Sequence, residues 1–275
     1  MSTTTYLKTN DFSVSQEDFE LRYEAELDLL STFPKPDLDK LGQYYASEDY
    51  ISHTDSKRTL VERLYHTVRK IAIKDKWDLV KNIKARGRLL DLGAGTGNFL
   101  ASNDGRWDVV GVEPNDSARE IAQEKGVPMY VDSAQLADHS FDIITMWHVL
   151  EHVWDYDSQI IELKRLLKPD GHLIIAVPNY KSDDASYYGK FWAAYDVPRH
   201  LWHFSQTSIK TIFGRHGYQV SKVLPMKFDA FYVSLLSEKY KNGNSNMFKA
   251  MIRGLKSNLK AKKTGEYSSL IYIIN

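Results

Sequence analysis

Three alternate glycines at positions 93, 95 and 97 form the part of the sequence best suited to hold a ligand. They follow an apolar run at 89–92 that carries Asp91. Glycine has no Cβ and adopts positive φ at little cost, so a ligand can lie directly against the backbone of such a loop. A plain turn between a strand and a helix does not require three glycines. The segment therefore predicts a ligand-binding loop.

The glycine spacing distinguishes between classes of nucleotide site. A dinucleotide loop of the form Gly-x-Gly-x-x-Gly needs glycine at 98 or 100, where asparagine and leucine stand. This disfavours an NAD-dependent oxidoreductase. A Walker loop does not fit either, because no Gly-Lys-Ser/Thr follows. The pattern favours a nucleoside without a bound pyrophosphate.

Acidic side chains close the next two apolar segments of the chain. Glu113 ends one segment and precedes Pro114, and Asp132 ends the next and precedes Ser133. A carboxylate at the first place can accept hydrogen bonds from both ribose hydroxyls, and one at the second from an adenine amino group. The alternatives are that Glu113 begins a helix and that Asp132 is an ordinary turn residue.

Short apolar segments alternate with amphipathic ones from residue 56 to residue 224, which predicts an α/β domain with a parallel sheet and helices on both faces. Predicted strands span 88–92, 109–113, 129–131, 141–146, 172–177, 218–224 and 270–274. Predicted helices span 56–83, 98–102, 118–125, 159–167 and 205–214. The first fifty residues are predicted to be irregular. The acidic residues and Trp147-His148 then share the sheet edge where open α/β sheets bind ligands.

Taken in order, these motifs resemble the class I S-adenosylmethionine-dependent methyltransferases. The resemblance covers about residues 60–225 and is carried by Leu90-Asp91-Leu92-Gly93-Ala94-Gly95-Thr96-Gly97, Val112-Glu113-Pro114, Ser140-Phe141-Asp142-Ile143-Ile144, His148-Val149-Leu150-Glu151-His152 and Leu166-Leu167-Lys168-Pro169-Asp170-Gly171-His172-Leu173. It implies a Rossmann-like, seven-stranded, mostly parallel sheet with an antiparallel last strand, and S-adenosyl-L-methionine as cofactor. The resemblance implies that the cofactor contacts Asp91, Gly93, Ala94, Gly95, Gly97, Glu113, Pro114, Asp132, Ser133, Trp147 and His148.

The aromatic and ionisable stretch at 179–205 is predicted to form the acceptor site, because it combines apolar walls with polar groups after the fifth strand. Its segment Pro198-Arg199-His200-Leu201-Trp202-His203-Phe204-Ser205 resembles a methyltransferase subgroup with small-molecule and sugar-modifying members. The resemblance implies His200 as the general base, with His203 as second choice, and neutral histidine suits that role near pH 7. Arg199 would suit an acceptor carboxylate or phosphate. The alternative is that the aromatic residues only build core.

A second motif match, His148-Val149-Leu150-Glu151-His152, has the H-x-x-E-H form of inverted zinc peptidases. On a helix its two histidines would share one face. No other feature of the chain suggests a peptidase, so no bound metal is expected. His152 is expected to be a packed or hydrogen-bonded residue.

The predicted domain organisation is an N-terminal extension at 1–55 and a methyltransferase domain at 56–275, with insertions at 179–205 and 226–266. The extension is also similar to the subgroup, whose members often place a zinc-binding Cys-x-x-Cys pair there. This chain has no cysteine, so the extension is expected to be a remnant without zinc. Tyr45, Tyr50 and His53 are expected either to close over the cofactor as a lid or to pack the extension.

Composition and charge limit the partners. The 36 basic and 36 acidic residues cancel, which disfavours nucleic acid, and the acceptor is expected to be a small molecule or glycan. The polar N-terminus and the lack of a long apolar run favour a cytoplasmic location.

The basic segment at 247–263 is predicted to be a helix that buries Phe248, Met251, Leu255 and Leu259, with peripheral membrane contact as the alternative. A cofactor-binding protein without catalysis is the other alternative function.

Overall fold

The computed structural model describes residues 3–45 and 60–275, with residues 60–67 described as helix backbone alone. The described chain divides into two compact units. The first draws its described residues from Met1–His53, Leu150–Tyr156 and Ala176–Tyr272. The second draws them from Thr54–Val149, Asp157–Ile175 and Ile273–Asn275. The predicted domain boundary at residue 55 stays a prediction.

An antiparallel sheet forms in the first unit. Strands β1 (Thr3–Asn10), β2 (Asp18–Glu24) and β3 (Leu29–Phe33) pair in order, and β9 (Trp202–His203) pairs with β3. The prediction of an irregular N-terminus is therefore wrong. The polar, threonine-rich β1 has mostly exposed side chains and so lacks the apolar alternation that marks a half-buried strand.

The other strands lie close to the predicted ones, and so do the helices apart from two, at 183–188 and 229–242, that the sequence did not predict. The strands are β4 (Gly87–Leu92), β5 (Trp107–Val112), β6 (Met129–Tyr130), β7 (Phe141–Trp147), β8 (Leu167–Pro178), β10 (Val220–Pro225) and β11 (Ser269–Ile274). The α-helices are α1 (Leu60–Ile83), α2 (Asn98–Ala101), α3 (Asp116–Glu124), α4 (Tyr156–Leu166), α5 (Asp183–Tyr188), α6 (Gln206–Arg215), α7 (Asp229–Asn242) and α8 (Met247–Thr264). Short 3-10 helices lie at Leu41–Tyr45, Leu150–His152, Gly189–Phe191 and Ala193–Tyr195. Ser205 caps α6, since its hydroxyl accepts the Ser208 N–H.

The seven-stranded sheet has the order β10-β11-β8-β7-β4-β5-β6. Strand β4 pairs in parallel with β5 and β7, and β5 pairs in parallel with β6, whereas the last strand is antiparallel. This is the predicted fold class. In the register, Leu92 lies opposite both Val112 and Met146, and Val112 lies opposite Tyr130. The segments that follow these four strands therefore begin at one sheet edge.

Each unit has its own core. In the second unit the central strands are apolar on both faces, and Leu89, Leu90, Phe141 and Ile143 are fully buried. The first unit has a mainly aromatic core. Its members are Phe19, Leu21, Leu30, Tyr44, Tyr180, Ala185, Tyr188, Trp192, Ala193, Ala194, Tyr195, Val197 and Val233. Many of the aromatic residues of the stretch 179–205 thus build core, which was the alternative explanation for them.

Helix α8 turns its large apolar residues outward. Phe248 is 76% exposed, and Met251, Leu255 and Leu259 are 51%, 53% and 51% exposed. The prediction that this helix buries those four residues is wrong. A Cβ at Gly254 would lie 2.7 Å from Phe231 of α7, so the inner side accepts only small residues. Those buried there are Ala250, Gly254, Ser257 and Ala261. Across the described helices, none has both the length and the hydropathy that crossing a bilayer requires.

Candidate active site

The glycine loop after β4 is fixed to the end of β5 in the second unit. The backbone N–H groups of Gly93 and Ala94 both donate to the Val112 carbonyl, at 2.8 and 3.0 Å, and the Gly97 N–H donates to the Ala94 carbonyl at 3.0 Å. These bonds hold the loop in one conformation, as a preformed ligand cradle requires.

The three glycines have different reasons to be glycine. All have positive φ, at 69°, 52° and 69° for Gly93, Gly95 and Gly97. A Cβ at Gly93 would overlap Val149, and one at Gly97 would lie 2.7 Å from the Ala122 Cβ, so packing excludes a side chain at both. A Cβ at Gly95 would meet no atom within 4 Å. Gly95 therefore presents bare backbone to open space.

Glu113 follows β5, at the sheet edge where the sequence predicts it. Its Oε2 accepts the Gly95 N–H at 2.9 Å, and its Oε1 accepts the Asn115 N–H at 2.9 Å. A carboxylate offers about four acceptor positions, so each oxygen keeps capacity for one hydroxyl donor. The carboxylate is partly exposed. The carboxylate thus supports the loop, and its two oxygens have the chemistry to accept hydrogen bonds from a diol.

Asp91 lies inside the sheet beneath the loop, where it is only 3% exposed. It accepts a hydrogen bond from the Thr145 hydroxyl at 2.5 Å. Burial raises the pKa of Asp91 to about 7, and the Thr145 hydrogen bond and the charge of Lys76 offset this only in part. The carboxyl group can therefore carry a proton near neutral pH.

Trp147 ends β7 at the same edge, and His148 follows it in a left-handed conformation, with φ of 59°. The Trp147 ring packs edge-on against Phe99, and the Lys76 ammonium lies 4.4 Å from its centre. Within the described residues, the Trp147 indole N–H is buried without a hydrogen-bond acceptor. Such a donor is ordinarily satisfied by a ligand or water. Lys76 was missed because a helical lysine has no distinguishing spacing.

The residues after β6 are more open to solvent. Asp132 is exposed, and its Oδ1 accepts the Ala134 N–H at 2.9 Å. The Ser133 hydroxyl donates to Glu162 at 2.5 Å, so it is engaged within the protein. Pro114 is exposed beside Glu113. The roles of these residues in cofactor binding stay predictions.

These groups fit S-adenosylmethionine in chemical terms. The nucleoside offers a ribose diol for a carboxylate acceptor, an adenine ring for exposed polar side chains, and close backbone approach at a glycine. Glu113, Asp132 and Gly95 supply these features. Trp147 ends β7 at the same edge. The residues present therefore suit the cofactor that the resemblance implies.

The predicted acceptor residues lie in the first unit, in a loop fixed by backbone bonds. The Leu201 N–H donates to the Glu151 carbonyl at 2.8 Å, and the Thr32 N–H donates to the Leu201 carbonyl at 3.0 Å. The next residues pair with β3 as strand β9. The segment Leu150–His152 is a 3-10 helix that does not include His148.

His200 is placed with one nitrogen directed inward. Its Nδ1 lies 2.9 Å from the Ala194 carbonyl oxygen, which can only accept. The neutral ring therefore carries its hydrogen on Nδ1 and a lone pair on Nε2. Nε2 lies 3.9 Å from the Asp196 carboxylate, so a proton gained there faces a negative charge. Asp196 was not among the predicted site residues, although it stands four positions before His200.

His203 is more enclosed than His200. Its ring is 4% exposed, packs edge-on against Tyr195, and has Nε2 at 3.0 Å from the Thr32 hydroxyl. Burial and the charge of nearby His200 hold the pKa of His203 well below its ordinary value. The ring is neutral near pH 7 and ties the loop to β3.

The Arg199 side chain forms hydrogen bonds with other residues of the protein. Its guanidinium group donates to Asp11 at 2.9 Å, to both Asp196 oxygens at 2.8 and 3.0 Å, and to the Tyr44 carbonyl at 2.9 Å. Burial opposes ionisation of Asp11, but the Arg199 bond and backbone N–H groups outweigh it and lower the pKa of Asp11 to about 2. Arg199 therefore holds the loop, and the expectation that it suits an acceptor anion finds no support in these contacts.

A group of possible metal ligands is formed by Glu151, His152 and His200. The H-x-x-E-H motif pairs His152 with His148 instead. One ligand-type atom of each of the three grouped residues lies within 4.8 Å of the others. The His152 and His200 rings meet edge to face at 4.5 Å. Burial and the charge of His200 lower the pKa of His152 to about 4, so its ring is neutral. Within the described chain, these are the groups that have the donor set for a divalent cation.

The predicted lid is described only in part. The Tyr45 hydroxyl lies 3.1 Å from the His152 Nδ1, beside the histidine group. Tyr50 and His53 lie outside the described residues. A lid role for these three residues stays a prediction.

Comparison with known proteins adds to this geometry. The family model described as a methyltransferase domain matches residues 64–223. The uncharacterized methyltransferase YcgJ of Bacillus subtilis is 34% identical over 112 residues, which cover 37% of this chain and 44% of that protein. The ubiquinone biosynthesis O-methyltransferase of Alkalilimnicola ehrlichii is 35% identical over 104 residues, which cover 34% of this chain and 42% of that protein. The chain thus spans less than half the length of these curated relatives.

Among solved structures, a SAM-dependent methyltransferase from Thermotoga maritima, described as a possible histamine N-methyltransferase, has the same fold. Its TM-score is 0.53 at 22% identity, and the match covers 78% of this chain and 94% of that chain. At this identity the likeness concerns the fold alone. Because the methyltransferase-domain model matches more than half of the 275 residues, the chain belongs to that family, within the class I S-adenosylmethionine-dependent methyltransferases.

Proposed function

We propose that this protein transfers a methyl group from S-adenosylmethionine to a small-molecule or glycan-type acceptor. The observation that carries the proposal is the sheet edge where Gly95 and Glu113 follow two paired strands and Trp147 ends a third. When bound, the cofactor supplies a methyl group on a positively charged sulfur. Because methyl transfer is an in-line displacement, much of the catalysis comes from holding the reactants in position.

His200 is the proposed general base. The Ala194 carbonyl fixes its tautomer, so the basic lone pair is on Nε2, and Asp196 faces the proton that Nε2 gains. The name of the Alkalilimnicola relative states that it is an O-methyltransferase. An oxygen acceptor of that type must lose a proton, which is the step assigned here to His200. His203 has the smaller part of orienting the loop through Thr32.

The cofactor part is tested by calorimetric titration with S-adenosylmethionine, S-adenosylhomocysteine and NAD in parallel. We expect both sulfur nucleosides to bind and NAD not to bind. Glu113→Ala weakens binding, because both of its oxygens and its charge are lost. Binding of NAD alone would show the nicotinamide alternative to be right.

The base assignment is tested by measuring S-adenosylhomocysteine formation with a panel of small-molecule and glycan acceptors. His200→Ala is expected to bind cofactor normally and to lower turnover by about 10²–10⁴-fold. His216→Ala, at the end of α6, is the matched histidine control and keeps full turnover. Full activity of His200→Ala on the best acceptor would remove His200 from the chemistry.

Two other functions have distinct outcomes in the same experiments. A non-catalytic S-adenosylmethionine-binding protein would bind both nucleosides and form no product with any acceptor. A metal-assisted enzyme would lose activity on chelation and regain it with a divalent cation, as the group Glu151, His152 and His200 allows. Turnover that is indifferent to chelation supports His200 as a base.

A further inference from the structure

The outward side of α8 forms an exposed apolar surface on the first unit. This surface, the α8 apolar face, consists of Phe248, Met251, Ile252, Leu255 and Leu259. Four of these residues, together with Phe231 of α7, line an apolar cleft of about 270 Å³. Contiguous apolar patches of this kind are uncommon on proteins that stay monomeric in water, and they mark interaction sites.

The charges along α8 have one sign. Its 18 residues contain no aspartate or glutamate. Its basic residues are Lys249, Arg253, Lys256, Lys260, Lys262 and Lys263. At 3.6 residues per turn, lysines 249, 256, 260 and 263 lie along one edge of the α8 apolar face. All four are exposed. The helix thus combines an apolar stripe with a basic border, and Lys262 lies at the C-terminal end of the stripe itself.

The inner side of α8 is fixed to its own unit. The Ser257 hydroxyl donates to the buried Asp184 carboxylate at 2.7 Å, and Arg253 and Lys260 form ion pairs with Asp183 of α5. A Cβ at Gly254 would overlap Phe231 of α7, so this side of the helix packs closely against α7. The apolar face is therefore held outward by packing, and exposing it costs no unfolding.

We propose that α8 docks this protein on an anionic lipid surface. The apolar face would lie among the upper acyl chains, with the lysine edge at the negatively charged headgroups. Lysine side chains suit this position, because their stems cover apolar surface while their ammonium groups stay at the headgroups. A second copy of the chain fits less well, since a symmetric pairing would set one wholly basic helix against another.

The proposal is tested by flotation of the full chain with phosphatidylcholine vesicles, with and without phosphatidylglycerol. We expect binding to the anionic vesicles that weakens at high salt. The double variant Phe248→Ser and Leu255→Ser should lower the partition coefficient at least about tenfold. Lys256→Gln with Lys263→Gln should lower it about 10- to 30-fold on anionic vesicles, at roughly fivefold for each lysine.

The matched control is Ile161→Ser on α4, where Ile161 is 60% exposed. This variant keeps wild-type binding. The proposal is overturned if the wild type does not float with anionic vesicles, or if the Phe248 and Leu255 variant floats equally well. It is also overturned if sedimentation shows a wild-type dimer that this variant dissociates, since the face then joins two copies. Titration of each variant with S-adenosylhomocysteine shows whether the cofactor proposal holds independently.

Discussion

A Gly95→Ala substitution separates contact with the cofactor from folding. Gly95 has a φ of 52°, and a Cβ there would meet no atom within 4 Å. A left-handed backbone costs alanine about 1–2 kcal/mol, with no overlap to add to it. For a chain of this size that loss lowers the melting temperature by about 2–8 °C. The variant is therefore expected to fold.

The effect on cofactor binding is expected to be larger than the effect on folding. If the cofactor lies against the bare backbone at Gly95, the added methyl group forces one of them to move. Overpacking of this kind costs about 1–3 kcal/mol, which raises the dissociation constant about 5- to 150-fold. Calorimetric titration with S-adenosylhomocysteine, beside thermal melting of the same sample, measures both quantities.

Two further glycines give matched controls. Gly105 has a φ of 84°, and a Cβ there also meets nothing within 4 Å, so Gly105→Ala has the same strain and should keep full affinity. Gly97→Ala adds an overlap with Ala122 and should lose the most stability. If Gly95→Ala melts as expected and binds S-adenosylhomocysteine as tightly as the wild type, the cofactor does not lie against this loop.

Three buried ionisable side chains give further predictions. Arg199→Ala leaves the Asp11 carboxylate buried without its cation and should lower the free energy of unfolding by about 3–5 kcal/mol in urea denaturation; a loss near zero would contradict the network. In the fold, burial works against ionisation of Asp28, but bonds led by that from Lys181 outweigh it and hold its pKa low. The free energy of unfolding of the wild type should thus exceed that of Asp28→Asn by its full amount above about pH 3.9, and this difference should shrink as the pH falls further. A difference that does not depend on pH would refute the prediction. Asp91 should behave in the opposite way, because its pKa is raised to about 7 in the fold. The wild type should lose stability relative to Asp91→Asn as the pH rises from about 4 to 7. If the unfolding free energies of the two proteins change with pH in parallel, Asp91 is charged in the fold.

The sheet edge that carries the candidate cofactor residues could be predicted from the sequence because its signals are local. Apolar runs mark strands that are buried on both faces, and the residue after each run must lie at the carboxyl edge of a parallel sheet. The register confirms this order, with Leu92, Val112 and Met146 at one level. The orphan Trp147 N–H and the pKa of Asp91 could not be predicted, since both depend on what packs around them.

The histidine group could be predicted only in part, because its members come from distant segments. Glu151 and His152 stand about fifty positions before His200, and Asp11, which holds Arg199, stands 188 positions before that arginine. No local spacing joins such residues. The residue type of Arg199 suggests binding of an acceptor anion, but its side chain is buried. A buried guanidinium group needs carboxylates within the protein as partners, so it is not available to an acceptor.

Helix α8 shows that hydrophobicity and burial are separate quantities. Its apolar stripe and its small-residue stripe both have helical spacing, and hydrophobicity alone predicts the apolar stripe as the inner one. Close approach to α7 at Gly254 selects small side chains instead. Side-chain volume at the contact decided the orientation of the helix.

The pairing of β9 with β3 has a consequence for the order of events during synthesis. The Thr32 hydroxyl donates to the His200 carbonyl across 168 positions of sequence. At about 5–20 residues per second, a ribosome needs roughly 10–30 s to add that length. During this interval β3 has been made and its partner strand has not, so one edge of the N-terminal sheet lacks its native partner. The open edge is an exposed site for pairing with other nascent chains until the histidine segment emerges.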